Sequence, residues 1–259
     1  MLKTRFGAYF SEYGYFSAEK FLEFAPSRSL VSVKHTPKRV LCRMSLFYAI
    51  FLIECRLMAW VIVGLGNPGE KYDSTRHNAG RMAVKYFAKA AHLNGWREDA
   101  KSKSLAAGGM VGKTAVAIIL PETFMNKSGS AVAKFVKSVK AAERLIVVYD
   151  DLDLPLGKFK ISFDRGSGGH KGLESIMRTL KTKKFTRIRI GVSPSTAGGA
   201  LRKPEGENVI LNFILTKFRA HELEELKRVF KRISEALEVA VTLGHERAMN
   251  SFNSDAQRS

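Results

Sequence analysis

Residues 59–80 read AWVIVGLGNPGEKYDSTRHNAG, and the reading of this stretch decides the fold. Trp60, Val61, Ile62 and Val63 form a short apolar run rich in β-branched residues and stopped by Gly64, the pattern of a strand covered on both faces. Gly64, Gly66 and Gly69 then satisfy G-x-G-x-x-G, a spacing that serves a dinucleotide only where a helix N-terminus follows to receive the pyrophosphate. Pro68 removes a backbone donor, Gly69 breaks a helix, and Glu70 to Arg76 is polar without apolar periodicity, so the first helix is expected only from near Asn78. The acid expected about 20 residues further on is missing too, because Met82 to Ala91 (MAVKYFAKAA) has helical spacing. The stretch reads as a strand and glycine turn that deliver Asn67, Tyr72, His77 and Asn78 to the strand's carboxyl end.

Downstream, Leu105–Val111 and Thr114–Leu120 form an expected hairpin, stopped by Pro121. Glu122–Asn126 (ETFMN) leads into a helix expected to run through Val139, and Leu145–Tyr149 (LIVVY) is a second buried strand. DDLDLPLG (Asp150–Gly157) precedes an alternating strand, KFKISF, with Lys158, Lys160 and Ser162 on one face. A glycine-rich loop, Arg165–Gly172, enters a helix over Leu173–Leu180. Thr186–Gly191 (TRIRIG) is a further strand with Arg187 and Arg189 on its polar side. Ser193–Asn208 reads as a mobile surface segment, Val209–Leu215 as a stretch that must pack, and Arg219–Leu243 as a long amphipathic helix stopped by Gly244. Strands alternating with helices predict one α/β domain: a twisted, mostly parallel mixed sheet with helices on both faces. Residues 59–253 are assigned to it, and 254–259 to a disordered tail.

The 259 residues carry a net charge of +19, of which +5 falls on Met1–Met58 and +14 on the remainder. An excess of that size on a folded body favours a polyanionic partner, nucleic acid ahead of membrane. Both cysteines, Cys42 and Cys55, precede the first strand, so the body offers neither a thiol nucleophile nor a thiolate metal site. In Met1–Met58 the most apolar part, Leu46–Ile53, is too short to span a bilayer. Its composition partly suits a transit peptide, although Glu12, Glu19 and Glu23 are unwelcome in one. An upstream start codon before Met58 accounts for the extension equally well.

In open α/β sheets ligands collect beyond the carboxyl ends of the strands. Asn67, His77, Asn126 and Asp150 all follow strands and are expected on one rim. Together they suit hydrolysis by an activated water, with His77 as base, Asp150 fixing its tautomer, and asparagine amides holding a carbonyl or its oxyanion. No serine or cysteine sits in a nucleophile elbow. Asp150, Asp151 and Asp153 are read equally well as a carboxylate-stabilised turn, and less well as a magnesium site.

Several separated blocks in order carry a family resemblance: VGLGNPG (Val63–Gly69), Tyr72, TRHNAG (Thr75–Gly80), TFMN (Thr123–Asn126), DDLDLPLG (Asp150–Gly157), GGHKG (Gly168–Gly172), RIRIG (Arg187–Gly191) and AMNSFN (Ala248–Asn253). From Trp60 to Asn253 the chain resembles bacterial-type peptidyl-tRNA hydrolase, which cleaves the ester between a peptide and the tRNA 3′ end. The resemblance implies His77 as catalytic base, Asp150 as its partner and Asn67 as a catalytic orienting group. It implies Tyr72, Met125, Asn126 and Lys171 as substrate-binding positions, and Lys160 and Arg189 as contacts to tRNA phosphates. It further implies a protein without cofactor or metal. No repeated heptad or bare apolar strand calls for a partner, so a monomer is expected, in the cytoplasm, or in an organelle if the extension is a transit peptide.

Two positions depart from the family pattern. Lys171 stands where the family usually has asparagine, and Ser162 where a second basic residue is common. Acceptor-stem binding is then expected to lean on Lys158, Lys160, Arg165 or the Lys181, Lys183, Lys184 cluster, which reads equally as a solvated helix end. The alternative function is a non-catalytic RNA-binding splicing cofactor on the same fold. The intact set of Asn67, His77, Asn126 and Asp150 argues against it.

Overall fold

The computed structural model describes residues 59–255 apart from 94, 197 and 199. The extension, both cysteines and the last four residues lie outside the described residues.

The opening apolar run forms β1 (Trp60–Gly64), the central strand of a seven-stranded sheet. After two single 3-10 turns, Glu70–Tyr72 and Arg76–Asn78, come α1 (Ala79–Ala90), β2 (Arg97–Asp99), β3 (Ser104–Val111) and β4 (Thr114–Pro121). The chain continues through α2 (Ser128–Val132), α3 (Val139–Ala142), β5 (Leu145–Pro155), β6 (Phe159–Phe163), α4 (Lys171–Leu180) and β7 (Thr186–Ser193). It closes with α5 (Glu207–Leu215), α6 (Ala220–Leu243) and α7 (His245–Asp255). The sheet order is β2-β3-β4-β1-β5-β7-β6. Its middle four strands, β4, β1, β5 and β7, run parallel, and antiparallel strands complete both edges.

Residue alternation along the strands divides the core in two. Ile62, Ile118, Ile146, Val148, Ile188 and Ile190 face α1 and α6. Val61, Val63, Ile119, Val147 and Tyr149 face the layer of α2 and α4, with Leu173, Ile176 and Phe185. Near-complete burial of both faces explains why these strands read as continuous apolar runs. A β-carbon on Gly80 would overlap the carbonyl of Val148, so glycine lets the first turn of α1 lie directly on β5. That contact brings the Arg76–Asn78 turn against Asp150.

Four expectations need correction. The helix expected to run through Val139 is broken: after α2, Phe135 and Val136 turn into the core, and Ser138 starts α3 by accepting the Ala141 N–H at 3.1 Å. Arg187 is not on an exposed face; it is 1% exposed, because the glycine-rich loop closes over it and the Gly166 carbonyl accepts from its guanidinium. Val209–Leu215 forms α5 with no buried residue, and Val209 remains 55% exposed. The terminal helix α7 continues through Ser254 and Asp255, beyond the expected start of the tail.

Candidate active site

β1 has β4 on one side and β5 on the other, so the chain reverses its direction of winding at β1 and leaves a crevice beyond the carboxyl ends of these strands. Asn67 lies just past β1, Met125 and Asn126 just past β4, and Asp150 within β5. The 3-10 turn before α1 adds His77, and the N-cap of α4 adds His170.

Asn67 is pinned through its backbone and its side chain. Its N–H donates to Asn78 Oδ1 at 2.8 Å, and its carbonyl accepts from Asn78 Nδ2 at 3.0 Å. Its Oδ1 accepts the Met125 N–H at 3.1 Å. A backbone N–H can only donate, so this contact fixes the amide orientation and leaves Asn67 with donors for a substrate.

His77 Nδ1 lies 3.0 and 3.1 Å from the two oxygens of Asp150. An ionised carboxylate only accepts, so the proton sits on Nδ1 and the lone pair on Nε2. Asp150 receives a second imidazole, with His170 Nε2 at 3.1 Å. The Leu173 N–H donates to His170 Nδ1 at 3.2 Å, capping α4, which leaves the His170 proton on Nε2, directed at Asp150. Burial opposes the Asp150 charge, but the two imidazoles outweigh it and hold the carboxyl well below the usual carboxylate range. His77, Asp150 and His170 have the donor types of a metal centre. Their hydrogen bonds oppose that use, since ligation through His170 Nε2 would require loss of its proton and of the helix cap.

Behind this group, the Tyr149 ring meets His170 edge-on at 4.9 Å. Burial pushes the Tyr149 hydroxyl up to about 12 against the opposing pull of Arg187. The His77 turn is tied to α6 by Arg76, whose Nη2 lies 2.6 Å from Glu222 Oε1 with both groups buried. The same guanidinium stacks on Phe213 and Phe218 at 4.7 and 4.9 Å.

The family model described as peptidyl-tRNA hydrolase matches residues 61–259. The chain is 43% identical over 203 residues to a peptidyl-tRNA hydrolase of Herpetosiphon aurantiacus, covering 77% of this chain and 92% of that protein. It belongs to the peptidyl-tRNA hydrolase family. A chloroplastic peptidyl-tRNA hydrolase of Arabidopsis thaliana is 37% identical over 198 residues, covering 76% of this chain and 65% of the relative. Among solved structures, the peptidyl-tRNA hydrolase of Acinetobacter baumannii superposes with a TM-score of 0.67 at 30% identity, over 75% of this chain and 94% of that one.

In this member of the peptidyl-tRNA hydrolase family, Asn67, His77 and Asp150 converge. Asn126 is exposed on the Met125–Lys127 turn, whereas Met125 is buried and supplies the N–H that orients Asn67. Tyr72 is half-buried, with Lys71 Nζ 4.8 Å from its ring centre. Lys171 is exposed at the start of α4 and pairs with Glu207 of α5 at 3.2 Å. Lys160 lies opposite Arg189 across β6 and β7, and Arg189 Nη1 bonds Asp151 Oδ2 at 3.0 Å.

Sequence reasoning assigned no role to three residues here. His170 completes the Asp150 group, Asn78 holds the Asn67 backbone, and Phe124 stands 60% exposed beside Met125. All three lie in or beside motif blocks, but only the folded contacts distinguish their roles.

Proposed function

We propose that this chain hydrolyses the ester of peptidyl-tRNA by direct attack of water, with His77 as general base. The observation that carries the reading is the His77–Asp150 bond beside Asn67, which leaves Nε2 as an acceptor and the Asn67 amide as a donor. Nε2 takes a proton from water as the oxygen attacks the ester carbonyl, and Asp150 stabilises the imidazolium. The developing oxyanion accepts from the amides of Asn67 and Asn126. Collapse of the tetrahedral intermediate breaks the bond to the ribose oxygen, which takes the proton from His77. The products are a free peptide acid and tRNA.

Tyr72, Asn126 and Lys171 are assigned to the substrate near the ester, with Met125 acting through Asn67. Lys160 and Arg189 are assigned to tRNA phosphate: Lys160 is exposed opposite Arg189 across β6 and β7, and the Asp151 carboxylate holds the Arg189 guanidinium in place beside it. The protein is placed in the cytoplasm as a monomer acting on peptidyl-tRNA. No helix among the described residues is long and apolar enough to cross a membrane.

The test is single-turnover release of an N-blocked aminoacyl group from tRNA by wild type and Asp150→Asn. An asparagine amide would donate to Nδ1 and force the His77 proton onto Nε2, so a loss of about 10³–10⁴ is expected. Tight tRNA binding by the wild type without release would make the chain an RNA-binding protein instead.

A further inference from the structure

The turn that carries His77 is weak on its own. Arg76–Asn78 is a single turn of 3-10 helix with no side-chain cap at Thr75, and its i→i+3 bonds have poorer geometry than those of an α-helix. Beyond the backbone, His77 is anchored through Nδ1 to Asp150, a contact at one corner of the ring that does not by itself fix where Nε2 points. A general base must hold that direction closely, because a misplacement of about 1 Å can cost about 10²-fold in rate.

The hold comes from the joint between α5 and α6. Thr75 and Lys217 form an antiparallel bridge, in which the Arg76 N–H donates to the Thr216 carbonyl at 3.1 Å and the Phe218 N–H to the Ser74 carbonyl at 2.8 Å. The bridge helps to keep Ser74 left-handed, φ 60°, a conformation that persists only where its surroundings dictate it. The Arg76 guanidinium then donates from Nη1 to the Lys217 carbonyl at 3.3 Å and from Nη2 to Glu222 at 2.6 Å. Phe213 of α5 and Phe218 of the joint lie 4.7 and 4.9 Å from it. A cation serving only to neutralise Glu222 would need neither the planar stack nor the carbonyl bond. No residue of α5 is buried, and Phe213 is the residue of that helix that packs against the core beneath. At the other end of α5, Glu207 pairs with Lys171, which follows His170. α5 thus reaches from the residue beside His170 to the residue beside His77.

We infer that Arg76 is a positioning residue for His77: held between Phe213 of α5 and Glu222 of α6, it fixes the turn that aims Nε2, so turnover depends on how α5 is seated. This rests on the proposed hydrolysis for the reaction that it serves. Arg76 is buried and acts through the backbone that it shares with His77. It therefore governs the rate of the chemical step and leaves substrate capture alone.

The test compares the full-length wild type with Phe213→Leu, Phe213→Tyr and Arg76→Lys. For each, kcat and KM are measured on tRNA carrying an N-blocked aminoacyl group, together with Tm and, without substrate, the NMR signal of the His77 Nδ1–H bonded to Asp150. Phe213→Leu removes the stacked ring and is expected to lower kcat at least about tenfold, to change KM less than about twofold and to broaden the Nδ1–H signal. Phe213→Tyr keeps the ring and should stay within about twofold of wild type in kcat. Arg76→Lys keeps a charge for Glu222 but neither the plane nor the Nη1 bond, and should follow Phe213→Leu. If Arg76→Lys does not fold, the two variants at the half-buried Phe213 decide alone. Equal turnover in these two would overturn the inference. So would a lowered Tm with kcat and the signal unchanged, which would leave Arg76 a structural ion pair. A raised KM with kcat intact would overturn it as well, placing Phe213 in substrate capture. A wild type that released no peptide would overturn the proposed hydrolysis, whereas a signal broadened by Phe213→Leu and kept by Phe213→Tyr would still support the positioning of His77.

Discussion

At the scale of single residues, the site depends on fixed donors and acceptors. Asn67→Asp keeps the acceptor for the Met125 N–H but replaces the outward amide with a carboxylate oxygen. It is expected to lower kcat by at least about 10²–10³ while leaving the circular dichroism spectrum unchanged; near-normal turnover would remove Asn67 from the oxyanion contact. Asp150, with its depressed pKa, contributes stability at pH values above the usual carboxylate range and loses it only as pH falls through the depressed value. Tyr149 has the opposite sign, because a raised pKa gives stability that is complete below the ordinary value and is lost as pH climbs through about 12. Alkaline unfolding curves should therefore be shallower between about pH 10 and 12 in Tyr149→Phe than in wild type, and identical slopes would show that Tyr149 titrates normally. Asn67 and Asp150 were legible because each follows closely on an apolar run, and His77 because it stands in the polar stretch between β1 and the first helix. His170 was not, since its role depends on a tautomer set by Leu173 and on a carboxylate 20 residues away. Arg187 was read on the correct face but as exposed, because alternation assigns a side chain to a face and cannot say that a loop covers that face.

At the scale of elements, the His77 turn is held by the elements around it. Gly80 seats α1 on β5, and the buried Arg76–Glu222 pair ties the turn to α6, while Glu222 Oε2 also accepts the Arg219 N–H at 2.7 Å and caps that helix. Breaking a buried ion pair from one side leaves an uncompensated charge, so Glu222→Ala is expected to destabilise the fold by about 3–5 kcal/mol, measured by urea denaturation. A loss below about 1 kcal/mol would show the pair to be effectively solvated. The long helix was legible because its apolar residues recur regularly and Gly244 stops it. The break between α2 and α3 was not, because Val132, Phe135, Val136 and Val139 keep helical spacing across it. Tertiary packing of Phe135 and Val136 and the Ser138 cap decide the local geometry there. At the far sheet edge, Asn253 accepts the Ile161 N–H and donates to the Ile161 carbonyl, both at 2.9 Å. Its side chain thus occupies backbone groups that an exposed edge strand would otherwise offer to another chain.

At the scale of the whole molecule, charge and chemistry are separated. His77 and Asp150 are 8% and 4% exposed, whereas Lys160, Lys181 and Lys184 lie on the surface, where mobile ions compete for phosphate. The sign of the partner was legible in composition, but the placing of Lys160 opposite Arg189 emerges only when β6 folds beside β7. Salt should therefore act on capture of the substrate and leave the chemical step nearly untouched. Raising monovalent salt from about 50 to 200 mM is expected to increase KM for peptidyl-tRNA by at least about 10², the loss for roughly four phosphate contacts, with kcat changing less than about threefold. Steady-state kinetics over that range would check this. A kcat that fell steeply while KM stayed constant would mean that the surface cations act on the ester itself, and would join the two regions that the fold keeps apart.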